Sequence, residues 1–142
     1  MSVAVDMSHE ASVTPLPTWP ERNRQWLIGA IGRLRQRLEA RLADPATPQI
    51  VTDCVDADGA PDVTAALVYA SKALGLSVFE RELLLLVAGL ELDQGLRVVV
   101  TALNGGTSSR ASYGLALAAL AAPHWQALSP AAALRRWRMV EP

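Results

Sequence analysis

Cysteine, lysine, histidine and phenylalanine are nearly missing from this chain of 142 residues. Cys54 is the only cysteine, so no disulfide can close within the chain and no cysteine cluster can hold a metal. His9 and His124 are the only histidines and lie far apart, so the usual zinc ligand sets are missing as well. Lys72 is the single lysine and sits in Ala70-Ser71-Lys72-Ala73, with no glycine-rich loop before it. A phosphate-binding loop needs Gly-x-x-x-x-Gly-Lys-Ser/Thr, so that backbone amides cradle phosphate and the lysine meets it. Gly105-Gly106 is the one glycine pair in a suitable loop, and no lysine follows it. No apolar run reaches the roughly 18 residues of a membrane span. Residues 1–10 carry Asp6 and Glu10 with neither a basic segment nor an apolar stretch, so no signal peptide is visible. A reducing cytoplasm is the expected compartment, with no membrane partner.

Apolar residues make up 51% of the chain, enough for one modest core. The net charge of −1 conceals separate blocks. Residues 21–43 carry Arg22, Arg24, Arg33, Arg35, Arg37 and Arg41 against Glu21 and Glu39. Residues 44–62 hold five aspartates and no base, and residues 134–142 hold Arg135, Arg136 and Arg138 against Glu141. The basic and acidic blocks can neutralise one another, which weakens any argument for a nucleic-acid surface built on net charge.

Residues 1–17 are polar and proline-containing and read as a disordered N-terminus. Thr18-Trp19-Pro20-Glu21 reads as a helix start, with Thr18 as N-cap and Glu21 closing a capping box. Leu27, Ile31, Leu34, Leu38 and Leu42 then mark one stripe of a long amphipathic helix over residues 18–43, stopped at Asp44-Pro45. Gly29 and Gly32 weaken that helix by about 1 kcal/mol each relative to alanine, so its stripe needs a cover. The cover can be its own domain, a neighbouring subunit or a partner. The acidic, proline-rich linker over residues 44–61 favours a helix that moves independently and serves assembly, with Trp19, Trp26, Arg33 and Arg37 on its flanks. Gln49-Ile50-Val51 within the linker has the composition of a short strand.

A compact domain is expected over residues 62–142. Asp62 is placed to cap a helix reaching Leu74, with Val63, Leu67, Ala70, Ser71 and Leu74 inward. Gly75 stops it, and Ser77-x-x-Glu80 is a capping box for the next helix. That helix is apolar nearly all round from Leu83 to Leu90, so it belongs at the centre of the domain, with Leu84 and Leu85 in the buried run. Asp93 caps a helix over 94–103, Ser112 opens another to Ala121, and His124 to Leu128 makes one short turn. His124 reads as a packing histidine and Trp125 as a structural aromatic. The alternating polarity of 134–140 suggests a terminal β-strand. Helices followed by one strand make an incomplete winged helix, so the domain reads as truncated at its C-terminal end.

No nucleophile, base and orienting acid fall together in a recognisable motif, and the paired acids Glu80/Glu82 and Glu91/Asp93 sit at helix ends, where carboxylates cap amides. The sequence offers binding rather than catalysis, and neither a catalytic residue nor a metal or cofactor ligand is assigned. The helices at 94–103 and 112–121 have helix-turn-helix order, but Tyr113 to Leu120 include no group that reads a base edge. Arg135, Arg136, Trp137 and Arg138 are suited to grip phosphate or an acidic protein surface.

Three blocks, LGLSVFERELLLLVAGLELD at 74–93, SYGLALAAL at 112–120 and PHWQALSPAAALRRWRMVE at 123–141, cover about half the chain. In their order and spacing they resemble the N-terminal, winged-helix-like region of the AAA+ ATPases encoded with contractile injection systems, which are phage-tail-like particles. The resemblance implies a mostly α fold and a non-catalytic domain that recruits a target or organises a ring. Under it, ATP and magnesium belong to a downstream module of the parent protein, and the partner is an injection-system component or a neighbouring subunit of that ring. The readings beside it are a winged-helix DNA-binding regulator and a helical assembly adaptor.

Overall fold

The computed structural model describes residues 14–47 and 65–141 and is mostly helical. Its elements are α1 (Trp19–Ala43), α2 (Ala66–Leu74), α3 (Val78–Leu92), α4 (Gln94–Leu103), α5 (Tyr113–Ala119), a 3-10 turn η1 (Trp125–Leu128) and α6 (Ala133–Arg136). Local chemistry sets most of the starts. The Glu21 carboxylate accepts from the Thr18 backbone amide at 2.6 Å, closing the box that begins α1. At α3 the capping box is reciprocal: Ser77 Oγ accepts from the Glu80 amide at 3.2 Å, and Glu80 Oε2 accepts from the Ser77 amide at 2.9 Å. Asp93 accepts from Leu96 at 2.8 Å to open α4, and Ser112 accepts from Leu115 at 3.1 Å to open α5. Each acceptor satisfies an amide that the helix itself leaves orphaned.

Helix α2 starts differently. Its N-cap Ala65 has no side chain to offer, and Asn23 Oδ1 of α1 accepts from the Ala66 amide at 2.9 Å instead. The expected cap Asp62, with Val63 beside it, lies outside the described residues. Gly75 ends α2 with φ 66°, the left-handed conformation that lets the Leu76 amide reach back to Ser71 O at 2.9 Å. Inward placement is complete only for Ser71, while Leu67, Ala70 and Leu74 are half-buried.

The core forms where α1 lies across α3 and α4. Ala30, Ile31, Leu34 and Leu38 of α1 are buried against Leu83, Leu85 and Leu86 of α3 and Leu96, Val99 and Val100 of α4. Phe79, Leu120 and Leu134 complete it, so the chain after α5 is also pinned inward. Gly89 marks the crossing. A Cβ added there would stand 2.6 Å from Leu96 Cδ2 and 3.4 Å from Ile31, so a methyl would have to push the buried Leu96 side chain aside.

Three expectations are corrected by this packing. First, the middle of the α1 stripe is taken up inside the domain, with only Leu42 exposed and Leu27 half-buried. A marginal helix with two internal glycines gains its stability from that burial and is therefore part of the body, not an independent assembly arm. Second, residues 134–140 form a helical turn and a reversal, and no strand occurs among the described residues. Leu134 is the one buried side chain of that stretch. An alternating pattern specifies a strand only where a sheet edge exists to receive it. Third, Leu84 is half-buried whereas its neighbour Leu85 is fully buried, because even an all-apolar helix turns one side outward. The candidate strand at Gln49-Ile50-Val51 and the lone Cys54 lie outside the described residues.

Candidate interaction surface

Most of the acidic side chains within the fold are occupied in holding it together. Glu82 is fully buried on α3. Its Oε2 accepts from Arg37 Nη2 of α1 and, at 2.7 Å, from the Ala121 amide just beyond α5. One carboxylate therefore ties three segments. Asp93 accepts from Arg35 Nη1 at 2.8 and 3.1 Å while capping α4. Burial pushes the Asp93 carboxyl up, but the Leu96 amide and the charge and hydrogen bond of Arg35 outweigh it and hold it below the usual aspartate range. The exposed Glu21 is likewise held low by the Thr18 backbone and hydroxyl hydrogen bonds.

These contacts give two arginines of α1 a structural role, one of them from the proposed flank. Arg37, half-buried, is the structural partner of the buried Glu82, and Arg35, which the sequence did not single out, anchors α1 to the start of α4. Arg33 is half-buried, Trp26 packs against the core, and Trp19 is exposed at the start of α1. Arg97 donates to the Leu90 carbonyl at 2.9 Å and closes the C-terminal end of α3 with a cation, where the helix dipole favours one.

His124 does pack as expected, edge-on to the buried Phe79 ring at 5.6 Å between centroids. Its Nε2 lies 2.8 Å from Ser77 Oγ. That separation suits a nucleophile and its base. The Ser77 oxygen also accepts from the Glu80 amide, which places this hydroxyl in the α3 cap, and His124 Nδ1 is buried with no hydrogen-bond partner among the described residues, so no described acid orients the ring. The arrangement serves the α3 cap.

The opposite chemistry gathers around η1 and α6. Arg135 donates to the Leu128 carbonyl at 2.7 Å, fixing α6 against η1. Arg136 lies over the Trp137 ring at 5.3 Å, a cation on an aromatic face. Trp137 is 52% exposed and Trp125 75% exposed, so Trp125 does not have the structural role expected of it. Arg138 has φ 54°, left-handed, and closes the reversal in which the Met139 amide reaches Leu134 O at 2.8 Å. A cavity of about 440 Å³ opens at this end, lined by Leu74, Glu80, His124, Gln126, Arg136 and Trp137 among others. Of the tail residues singled out in the sequence, Arg136 and Trp137 line this cavity and Arg135 holds Leu128, whereas Trp19 and Arg33 stand elsewhere on α1.

A second groove, about 640 Å³, runs beside α3 and the α4–α5 loop, with Leu83, Val87, Leu90, Tyr113, Met139 and Val140 among its lining. Helices α4 and α5 keep helix-turn-helix order, and α5 presents only Tyr, Gly, Leu and Ala. No group of three or more His, Cys, Asp or Glu side chains suited to a metal occurs among the described residues, and no described helix is long and apolar enough to cross a membrane. Compared with protein-family models, curated proteins and solved structures, the chain gives no match.

Proposed function

We propose that this chain is a non-catalytic interaction domain of an AAA+ ATPase associated with a contractile injection system, recruiting a target or organising the ring. The observation that carries the reading is the division of labour among its side chains. Glu82, Asp93, Glu80 and Glu21 serve ion pairs and caps, while two tryptophans and neighbouring arginines are left at one exposed end. Tryptophan and arginine are the side chains that most often dominate binding energy at protein interfaces. Resemblance of the three sequence blocks supplies the family, and the order α4, loop, α5 suits the helix-turn-helix part of a winged helix. In this reading ATP and magnesium are bound by a downstream module, the ring makes the assembly homo-oligomeric, and the cytoplasm is its compartment.

The test is co-purification of the tagged chain, expressed with the genes of its contractile particle, followed by identification of what accompanies it. Recovery of particle or ATPase subunits is the expected result. A chain that binds none of them and instead shifts a specific duplex DNA at 200 mM salt, a condition chosen to be above physiological strength at roughly 150 mM, would favour the DNA-binding regulator. The α5 surface, with no arginine, lysine, asparagine or glutamine, speaks against that alternative.

A further inference from the structure

We propose that Trp125, Arg136, Trp137 and Arg138 form a docking site for an acidic protein segment carrying an apolar anchor, an inference that rests on the interaction-domain reading and names the chemistry of the partner. Four observations converge on it. Two tryptophans at this one end of the fold stand largely in water, Trp125 at 75% and Trp137 at 52% exposed. Water favours covering such surfaces, and each carries an indole N–H for a polar partner at its rim. Arg136 rests on the Trp137 face at 5.3 Å, a contact that orients the two side chains together and leaves guanidinium N–H groups for a carboxylate.

The backbone supplies the third observation. The same kind of reversal ends α2 and α6, each with an amide reaching back five residues, Leu76 to Ser71 and Met139 to Leu134. The first has Gly75 at its left-handed position, φ 66°, and the second has Arg138 at φ 54°. A side chain at that position is strained where glycine is not. The geometry of the turn gives no reason for arginine there, so a role for its side chain belongs to the proposal.

Charge is the fourth. Arg136 and Arg138 form no ion pair among the described residues, and Lys72 stands in the last turn of α2 beside Ala73 of the cavity wall. The one acid lining the cavity, Glu80, is buried and accepts from the Ser77 amide. Arg136 is thus the cation in the wall of a cavity of about 440 Å³ that also includes Leu74 and four alanines, with Arg138 two residues further along the chain. That volume suits a side chain or two from a partner, with a neighbouring carboxylate meeting Arg136. A nucleic-acid strand would need a longer cationic track, and Glu141 follows the patch directly.

The experiment is fluorescence anisotropy of the full chain titrated with a labelled Asp/Glu-rich peptide containing a central leucine, and in parallel with labelled oligo(dT). Saturable binding of the peptide is expected, weakened at least tenfold by Arg136→Glu combined with Arg138→Glu, and also by Trp137→Ala. The exposed Arg24→Ala on α1 should leave it unchanged. Arg138→Gly is the sharpest variant, because it relieves the left-handed strain and should raise the urea midpoint while weakening the peptide. No peptide binding, or binding indifferent to these variants, would overturn the site, as would oligo(dT) binding tighter than the peptide with the same variant sensitivity. In co-purification, loss of the partner with the Arg136→Glu, Arg138→Glu chain supports the patch. Persistence of the partner overturns the patch and leaves the interaction-domain reading standing, whereas a wild-type chain without particle or ATPase subunits counts against that reading alone.

Discussion

Replacing Glu82 with alanine should be among the most damaging single changes in this protein. The side chain is fully buried, and its carboxylate receives both Arg37 Nη2 and the Ala121 amide. Removing it takes the carboxylate from a cation whose side chain is only 18% exposed, and it also takes the acceptor from the Ala121 backbone N–H. Breaking a buried ion pair by deleting one partner costs about 3–5 kcal/mol. Domains of this kind have roughly 5–15 kcal/mol in total, so Glu82→Ala should lower the urea midpoint severely and approach unfolding at body temperature. Glu82→Gln keeps the volume and one acceptor oxygen but loses the charge, and should cost about 1.5–3 kcal/mol, the worth of a hydrogen bond to a charged group. The pair is separable from its burial by a double-mutant cycle with Arg37→Met. Because the two side chains touch, the combined loss should fall short of the sum by about 0.5–3 kcal/mol. The assay is urea unfolding followed by far-ultraviolet circular dichroism. Additive effects, or a loss below about 1 kcal/mol for Glu82→Ala, would refute the role of this carboxylate as the tie between α1, α3 and the chain after α5.

Gly89→Ala should destabilise by about 1–3 kcal/mol in the same melts, because its methyl meets the buried Leu96 at 2.6 Å, while Gly32→Ala should stabilise by up to about 1 kcal/mol, since nothing lies within 4 Å. Leu85→Ala should cost about 2–5 kcal/mol and the half-buried Leu84→Ala distinctly less, with Ser77→Ala near 1 kcal/mol, as read by urea midpoints. The Asp93 carboxyl is held below its ordinary value of about 3.9 in the folded state. Its contribution is therefore complete above that value and disappears as pH falls through the lowered one, so Asp93→Asn should be less stable at neutral pH and show a flatter stability profile in acid. Deleting residues 1–43 should cost the remainder its helicity by circular dichroism, because Ile31, Leu34 and Leu38 cover α3 and α4, and a truncated chain that stays folded and monomeric would contradict the packing.

Helix boundaries were largely legible because their causes are local. Ser77, Asp93 and Ser112 cap within three residues of themselves, and Gly75 reverses the chain at its own φ, so sequence neighbours suffice to predict them. The α1 stripe was legible as well, since its spacing follows from the helix period alone. What covers the stripe was not, because a periodic apolar face specifies burial and leaves the burying surface unnamed. The expected strand at 134–140 failed for the same kind of reason. Alternation is a local pattern, but a strand needs a partner strand, and here Leu134 finds its place in the helical core instead. At the candidate surface the cluster Arg135 to Arg138 was readable by composition, while the exposure of Trp125 depended on how η1 sits on α6. Glu82 was the largest omission: in sequence it is one more acid near a helix start, and only the meeting of α1, α3 and the segment after α5 makes it a buried tie. Sequence thus determined the helices and their caps, whose interactions span a few residues. Tertiary structure decided which charges are buried and which aromatics face water, because desolvation depends on every segment that closes around a group.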